Sequence, residues 1–301
     1  MDPVILEVAI NGPSTSTDNP HHPRTLDAIV NDAITCFRAG AAIVHNHVDQ
    51  SLGGDRAAEA YLAVYRQVIE AVPDAILCCG LGGAVEEPSA EQAYAHIPAL
   101  AKAGMKMAIA DPGSMNFSVR SARDGTPSGS IVYRNSFDDT RYFMDLLRTH
   151  RLGPSISVFE PGFLRASLAW EMAGAMPPGA LVKLYFGGNY NPFTHAEGEA
   201  GFGAGFGLLP STNALAAYRE MLSGSALSWA VAVVGGDVFA NGLADVALGQ
   251  GGHLRVGLED YGGPEFPSNF ALVEKAAACA KNNDRRLATP TEVAAMLGLP
   301  R

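Results

Sequence analysis

Short runs of apolar and β-branched residues alternate along this chain with longer segments whose apolar positions recur at helical spacing. The runs cover residues 4–10, 42–48, 75–81, 105–110, 155–159, 181–186, 227–234 and 253–258. Runs this short and this continuously apolar read as strands covered on both faces. In the first intervening segment Leu26, Ile29, Val30, Ala33 and Phe37 fall on one helical face, with Thr25 placed to cap its start and Gly40 to end it. Further helices are predicted near 57–72, 90–103, 137–150, 163–173, 212–222, 239–248 and 269–282. Eight strand–helix units predict an α/β architecture, a closed (β/α)8 TIM barrel forming a single domain over residues 1–301. An open doubly wound sheet fits less well, because no Gly-x-Gly-x-x-Gly follows the first run.

Two connections, 111–135 and 187–211, exceed the usual few residues. Both follow barrel strands, so they belong to the end of the barrel where active sites form, as a lid or a groove for an extended ligand. The last segment, 289–299, reads as a short helix after Pro290 that packs on the barrel's base or on a neighbouring subunit.

Candidate chemistry gathers at the carboxyl ends of the strands. His45 and His47 end the second run, and residues two apart on a strand share a face. The eighth run closes on Glu259 and Asp260. In a closed barrel the second and eighth strands flank the first, so Glu259 can join His45 and His47 around one ion. Two imidazoles and a carboxylate leave a coordination position open, which suits a catalytic Zn2+ or another divalent cation. Arg255 and Asp260 read either as a rim ion pair or as a base with the partner that sets its pKa. Glu160, at the end of the fifth strand, and Asp111, at the end of the fourth, point by position to the mouth, with Ser114 and Asn116 beside Asp111 as hydrogen-bonding candidates. His96 and His150 read as surface groups of helices, His253 as a residue at the far end of the barrel, and His21, His22 and His195 as polar loop residues.

Composition narrows the function classes. The chain has 301 residues, 48% hydrophobic and 17% charged, enough to bury a large core. A net charge of -10 argues against a nucleic-acid partner, which needs a basic footprint. No apolar run is long enough to span a bilayer, and the N-terminus lacks a signal-peptide layout. Cys36, Cys78, Cys79 and Cys279 form no Cys-x-x-Cys and read as reduced, packed residues of a cytoplasmic enzyme.

The blocks Val8-Ala9-Ile10-Asn11-Gly12, Asp18-Asn19-Pro20, Ala39-Gly40-Ala41-Ala42-Ile43-Val44-His45-Asn46-His47, Gly82-Gly83-Ala84-Val85, Gly113-Ser114-Met115-Asn116-Phe117, Trp229-Ala230-Val231-Ala232, Gly252 to Asp260 and Leu287-Ala288-Thr289-Pro290 occur in order over nearly the whole chain. Together they resemble the β-keto acid cleavage enzymes, the family that includes the 3-keto-5-aminohexanoate cleavage enzyme of lysine fermentation. The resemblance implies a TIM barrel with zinc held by His45, His47 and Glu259, commonly a homotetramer. It implies exchange between a β-keto acid and acetyl-CoA, giving acetoacetate and a new acyl-CoA by a retro-Claisen step. Asp260, oriented by Arg255, would transfer the proton, with Asn11, Ser14, Gly82, Gly83, Asp111, Ser114 and Asn116 around the substrate.

Ser14 stands where the aminohexanoate enzyme has an acid. Gly80 and Ile109 stand where hydroxyls hold the substrate carboxylate, so backbone amides around Gly80 to Gly83 are expected to take over. Ser157 replaces an acid that supports the Arg–Asp pair, with Glu160 a possible substitute, and Val48-Asp49 replaces the usual Arg after the histidine pair. A metal-dependent hydrolase of the amidohydrolase type is the alternative enzyme reading, although it needs histidines where this chain has Glu160 and residues 186–188. A noncatalytic barrel that binds a small ligand is the alternative outside enzymes.

Overall fold

The structure is a computed structural model that describes residues 2–12, 19–83, 88–120, 126–190 and 205–300. Eight parallel strands close into a barrel: β1 (Leu6–Ala9), β2 (Ile43–Asn46), β3 (Ile76–Cys79), β4 (Met107–Ala110), β7 (Gly153–Val158), β8 (Leu181–Gly187), β9 (Ser228–Val234) and β10 (His253–Val256). Each of the eight predicted apolar runs carries one of these strands. β1 lies between β2 and β10, with Ala9 level with His45 and Glu7 level with Arg255. That adjacency is what brings the second and eighth barrel strands to a common site.

The helices form where the periodicity places them. α1 (Leu26–Ala39) starts at Thr25, whose side chain accepts from the Ala28 N–H, and ends at Gly40 with φ of 120°, a conformation that favours glycine. α2 (Gly54–Ala71), α5 (Phe137–Thr149), α6 (Pro161–Met172), α7 (Thr212–Met221), α8 (Leu243–Gly249) and α9 (Asn269–Asn282) follow the pattern. The predicted 90–103 helix is two pieces, α3 (Ala90–Ala93) and α4 (Ile97–Lys102). His96, expected at the surface, is fully buried at this break. Its Nε2 hydrogen-bonds the Gly80 carbonyl at 3.0 Å, so the histidine ties the β3 loop to the helices. A continuous helix would not leave it free to make that contact.

The 111–135 connection, expected as a long loop, holds an antiparallel hairpin, β5 (Met115–Arg120) and β6 (Pro127–Tyr133). Ser114 and Asn135 lace its base through the Ser114 hydroxyl and backbone groups. In the other long connection, residues 191–204, with His195 and part of the Gly-rich run, lie outside the described residues.

The core has two layers. Apolar residues between the strands and helices form the larger one. Inside the barrel, Ile5, Ile43, Ile76, Cys78, Met107, Leu181 and Ala230 form the second, packed with Val293 and Leu297 of α10 (Pro290–Leu297). The C-terminal helix therefore plugs the base of the barrel. Thr289 and Glu292 close a reciprocal capping box at its start, behind Pro290. All four cysteines are buried and free.

At the base, buried His253 accepts the Ile5 N–H on Nδ1 at 3.1 Å. Burial, aided by Arg285, depresses its pKa from 6.5 to about 3. The unfolded chain therefore takes up the proton first. The contribution of His253 is intact above pH 6.5 and is lost as pH falls toward 3, at about 1.4 kcal/mol per pH unit. Gln at this position keeps an acceptor but cannot be protonated. His253→Gln is expected to flatten the fall in urea-denaturation stability on acidification; an unchanged slope contradicts this assignment.

Candidate metal centre

The end of β2 presents His45 and His47 toward the mouth, and the turn after β10 returns Glu259 to them. Gly257 makes that return possible: its φ is 135°, and a Cβ there would lie 2.0 Å from the Ala9 carbonyl oxygen. Glu259 N–H then donates to the same carbonyl at 3.2 Å. His45 Nε2 and His47 Nε2 are 3.0 Å apart, and each is 3.1 Å from a Glu259 carboxylate oxygen. Among the described residues, these three form the cluster of His, Cys, Asp and Glu side chains tight enough to share an ion.

The donor set fits a divalent cation. Tetrahedral zinc with ligands at about 2.0–2.2 Å separates them by roughly 3.3 Å, close to the spacing here. His45 Nδ1 lies 2.8 Å from the Cys78 carbonyl; donating its proton there leaves the Nε2 lone pair facing the other two ligands. His47 Nδ1 contacts the Gln50 side-chain amide at 2.8 Å, and turning that amide about its axis offers an oxygen to Nδ1–H. Gln50 is a supporting residue that spacing did not suggest. Burial raises the Glu259 pKa but is outweighed by His45, His47 and Arg255, which hold it well below the usual carboxylate range. Burial lowers the His45 pKa to about 4 against the opposing pull of Glu259, with Arg255 and His47 adding to the fall, so its imidazole is neutral near pH 7. Room for the ligands comes from two glycines: a Cβ at Gly12 would sit 2.5 Å from Glu259 Cγ, and one at Gly80 would sit 2.5 Å from the His47 ring.

Behind the ligands, Arg255 organises the carboxylates. Its Nε donates to Asp260 at 2.7 Å, one terminal nitrogen donates to Glu7, and the other donates to Glu259 at 2.9 Å and Asp260 at 3.2 Å. Its guanidinium also lies over the Tyr185 ring, 5.4 Å from the centroid. Glu7, which the sequence reading passed over, is fully buried in β1. Burial raises its pKa, but Lys183 and Arg255 reverse the effect and hold it at about 2. The support for Arg255 thus comes from β1, across from Ser157. Glu160 does not supply it: its carboxylate accepts the Gly207 N–H at 2.9 Å and is not part of the cavity wall.

His45, His47 and Glu259 open onto a cavity of about 990 Å³, lined also by Ile109, Asp111, Tyr133, Ser157, Lys183 and Arg255. Asp111 is buried, accepts from the Tyr133 hydroxyl and the Ser157 N–H, and has its pKa raised by burial. Gly82 and Gly83 line the cavity, but their amides are spent. Gly80 donates to Asn46, Gly82 to Ala93 and Gly83 to Leu52. These amides are not available to a carboxylate, contrary to expectation.

Other expected substrate contacts also serve the scaffold. Asn11 accepts the His47 N–H and donates to the His47 and Pro23 carbonyls, so it positions a ligand strand. Ser114 and Asn116 belong to the hairpin and do not line the cavity. Asp260, whose pKa burial raises against the pull of Arg255, sits behind Arg255 and outside the main cavity wall. Ser14 lies outside the described residues.

Comparison with known proteins identifies relatives over nearly the whole chain. The chain is 27% identical over 305 residues to a "3-keto-5-aminohexanoate cleavage enzyme" of Fusobacterium nucleatum, with 99% of each chain covered. It is 28% identical to a "3-oxoadipate:acetyl-CoA acetyltransferase" of Cupriavidus necator, covering 99% of this chain and 95% of that one. Among solved structures, apo ObcA matches in fold with a TM-score of 0.67 at 21% identity, over 93% of this chain and 66% of that longer one. The sequence profile described as "beta-keto acid cleavage enzyme" matches residues 3–299. With nearly the whole length matched, the chain belongs to the beta-keto acid cleavage enzyme family.

Proposed function

We propose that this protein exchanges the acyl group of a β-keto acid with acetyl-CoA, using a divalent cation, zinc in our reading, held by His45, His47 and Glu259. The observation that carries this reading is the convergence of those three ligands on the wall of a large cavity. In the exchange, the bond between the keto carbon and C2 of the acid breaks. C2, with its carboxylate, joins the acetyl carbonyl carbon to give acetoacetate. The CoA thiolate leaves acetyl and takes the remaining acyl group, so no oxidant or further reactant is required. A bound divalent cation supplies Lewis acidity to the keto oxygen and offsets enolate charge.

The residues around it divide the remaining work. Arg255 fixes Glu259 and Asp260 in one plane, which keeps the ligand carboxylate ionised and oriented. Asp260 is our candidate for moving the C2 proton, supported by a pKa that burial raises toward the working range. A second reading has specific support: Asp111 also has a raised pKa and, unlike Asp260, lines the cavity directly. Ile109, Tyr185 and Phe159 give part of the cavity an apolar lining, which strengthens electrostatic contacts made beside it.

Purified protein is expected to carry one divalent ion per chain by elemental analysis. His45→Ala should retain the circular-dichroism spectrum and weaken the metal by at least the roughly 10- to 100-fold typical of a lost supporting contact. A variant that keeps full metal content removes His45 from the ligand set.

Asp260→Asn should lower kcat by about 10²- to 10⁴-fold. It should also abolish catalysed C2 deuterium exchange in a β-keto acid without acetyl-CoA. Loss of that exchange in Asp111→Asn, with Asp260→Asn unaffected, assigns the base to Asp111 instead.

A further inference from the structure

A β-keto acid brings a carboxylate into the cavity, and that group needs a partner. The loop amides of Gly80, Gly82 and Gly83 already donate to protein carbonyls. Ile109 offers methyl groups, and Asn11 is bonded to the backbone of His47 and Pro23. Arg255 reaches the cavity wall, but all three of its nitrogens are committed to Glu7, Glu259 and Asp260. Arg134 lies on the exposed outer hairpin, where water and salt screen its charge.

Lys183 differs from all of these. It occupies the middle of β8, level with Ser157, and is 1% exposed while lining the cavity. Its ion-pair partner among the described residues is Glu7, at the long distance of 3.5 Å, and Glu7 is held more closely by Arg255. An ammonium has three donors, and burial makes each unmet donor costly. Glu7 anchors one side of the group and leaves capacity on the side facing the cavity.

We propose that Lys183 is the receptor for the anionic end of the substrate, its Nζ donating to the carboxylate of the β-keto acid. This rests on the function proposed above and adds a specificity: the site distinguishes a keto acid from its neutral counterparts by one buried ammonium. Among the described residues, the ammonium of Lys183 on β8 thus takes the part that the committed Gly80, Gly82 and Gly83 amides do not.

Calorimetric titration of metal-loaded protein with acetoacetate and with acetoacetamide, both without acetyl-CoA, tests the assignment. Lys183→Gln is expected to weaken acetoacetate roughly 10- to 100-fold, the loss typical of a charged hydrogen bond. Acetoacetamide binding and metal content should stay unchanged. If Lys183→Gln does not fold, the neutral pair Glu7→Gln with Lys183→Met carries the same expectation. Equal weakening of the two ligands, or weakening of neither, overturns the role of Lys183 while leaving the exchange reaction standing. Wild-type protein that binds no acetoacetate overturns both.

Discussion

Lone pairs on nitrogen and oxygen held 3.0–3.1 Å apart need a proton or a cation between them. His45, His47 and Glu259 are held in that arrangement by the barrel and its glycines. β1 places the second and eighth barrel strands on its two sides, Gly257 turns the chain back over Ala9, and Gly12 and Gly80 give up the space side chains would fill. Hydrogen bonds to Cys78 and Gln50 then fix the imidazoles from behind. In the function we propose, a shared divalent cation would convert this crowding into binding energy, with protons from the imidazoles directed outward.

The electrostatics below the ligands follow from the same demand. Four carboxylates, Glu7, Asp111, Glu259 and Asp260, are buried or nearly so around one mouth, and among the described residues Arg255 and Lys183 are the cations that face them from within the barrel. Buried charges of this kind are stable only when each is paired, and removing one partner leaves another exposed to the full desolvation cost. The arrangement divides labour between the two cations. Arg255 spends its planar fork on the protein's own carboxylates, while Lys183, a compact point charge with a single long contact, keeps capacity for a ligand.

The frame was readable because its signals are periodic. Continuous apolar runs marked all eight barrel strands, and the caps at Thr25 and Gly40 marked the first helix to the residue. The convergence of His45, His47 and Glu259 was readable through topology, since barrel closure puts the ends of β2 and β10 on either side of β1. What escaped depends on contacts that no local pattern encodes. His96 looked like a helix-surface residue until the break between α3 and α4 turned it onto the Gly80 carbonyl. The glycine amides looked available until their acceptors were seen, and the hairpin after β4 went unread although Met115, Phe117 and Val119 alternate with Asn116, Ser118 and Arg120 along its first strand. Glu7 and Lys183 did leave a signal: each is a lone charge inside an otherwise apolar strand, and such a residue must find a partner across the barrel.

X-ray absorption at the metal edge of the loaded protein tests the central claim most directly. The account predicts two imidazole nitrogens and carboxylate oxygen in the first shell at about 2.0–2.2 Å, with one imidazole lost in His47→Ala. A first shell without imidazole scattering, or one unchanged by that substitution, would contradict it.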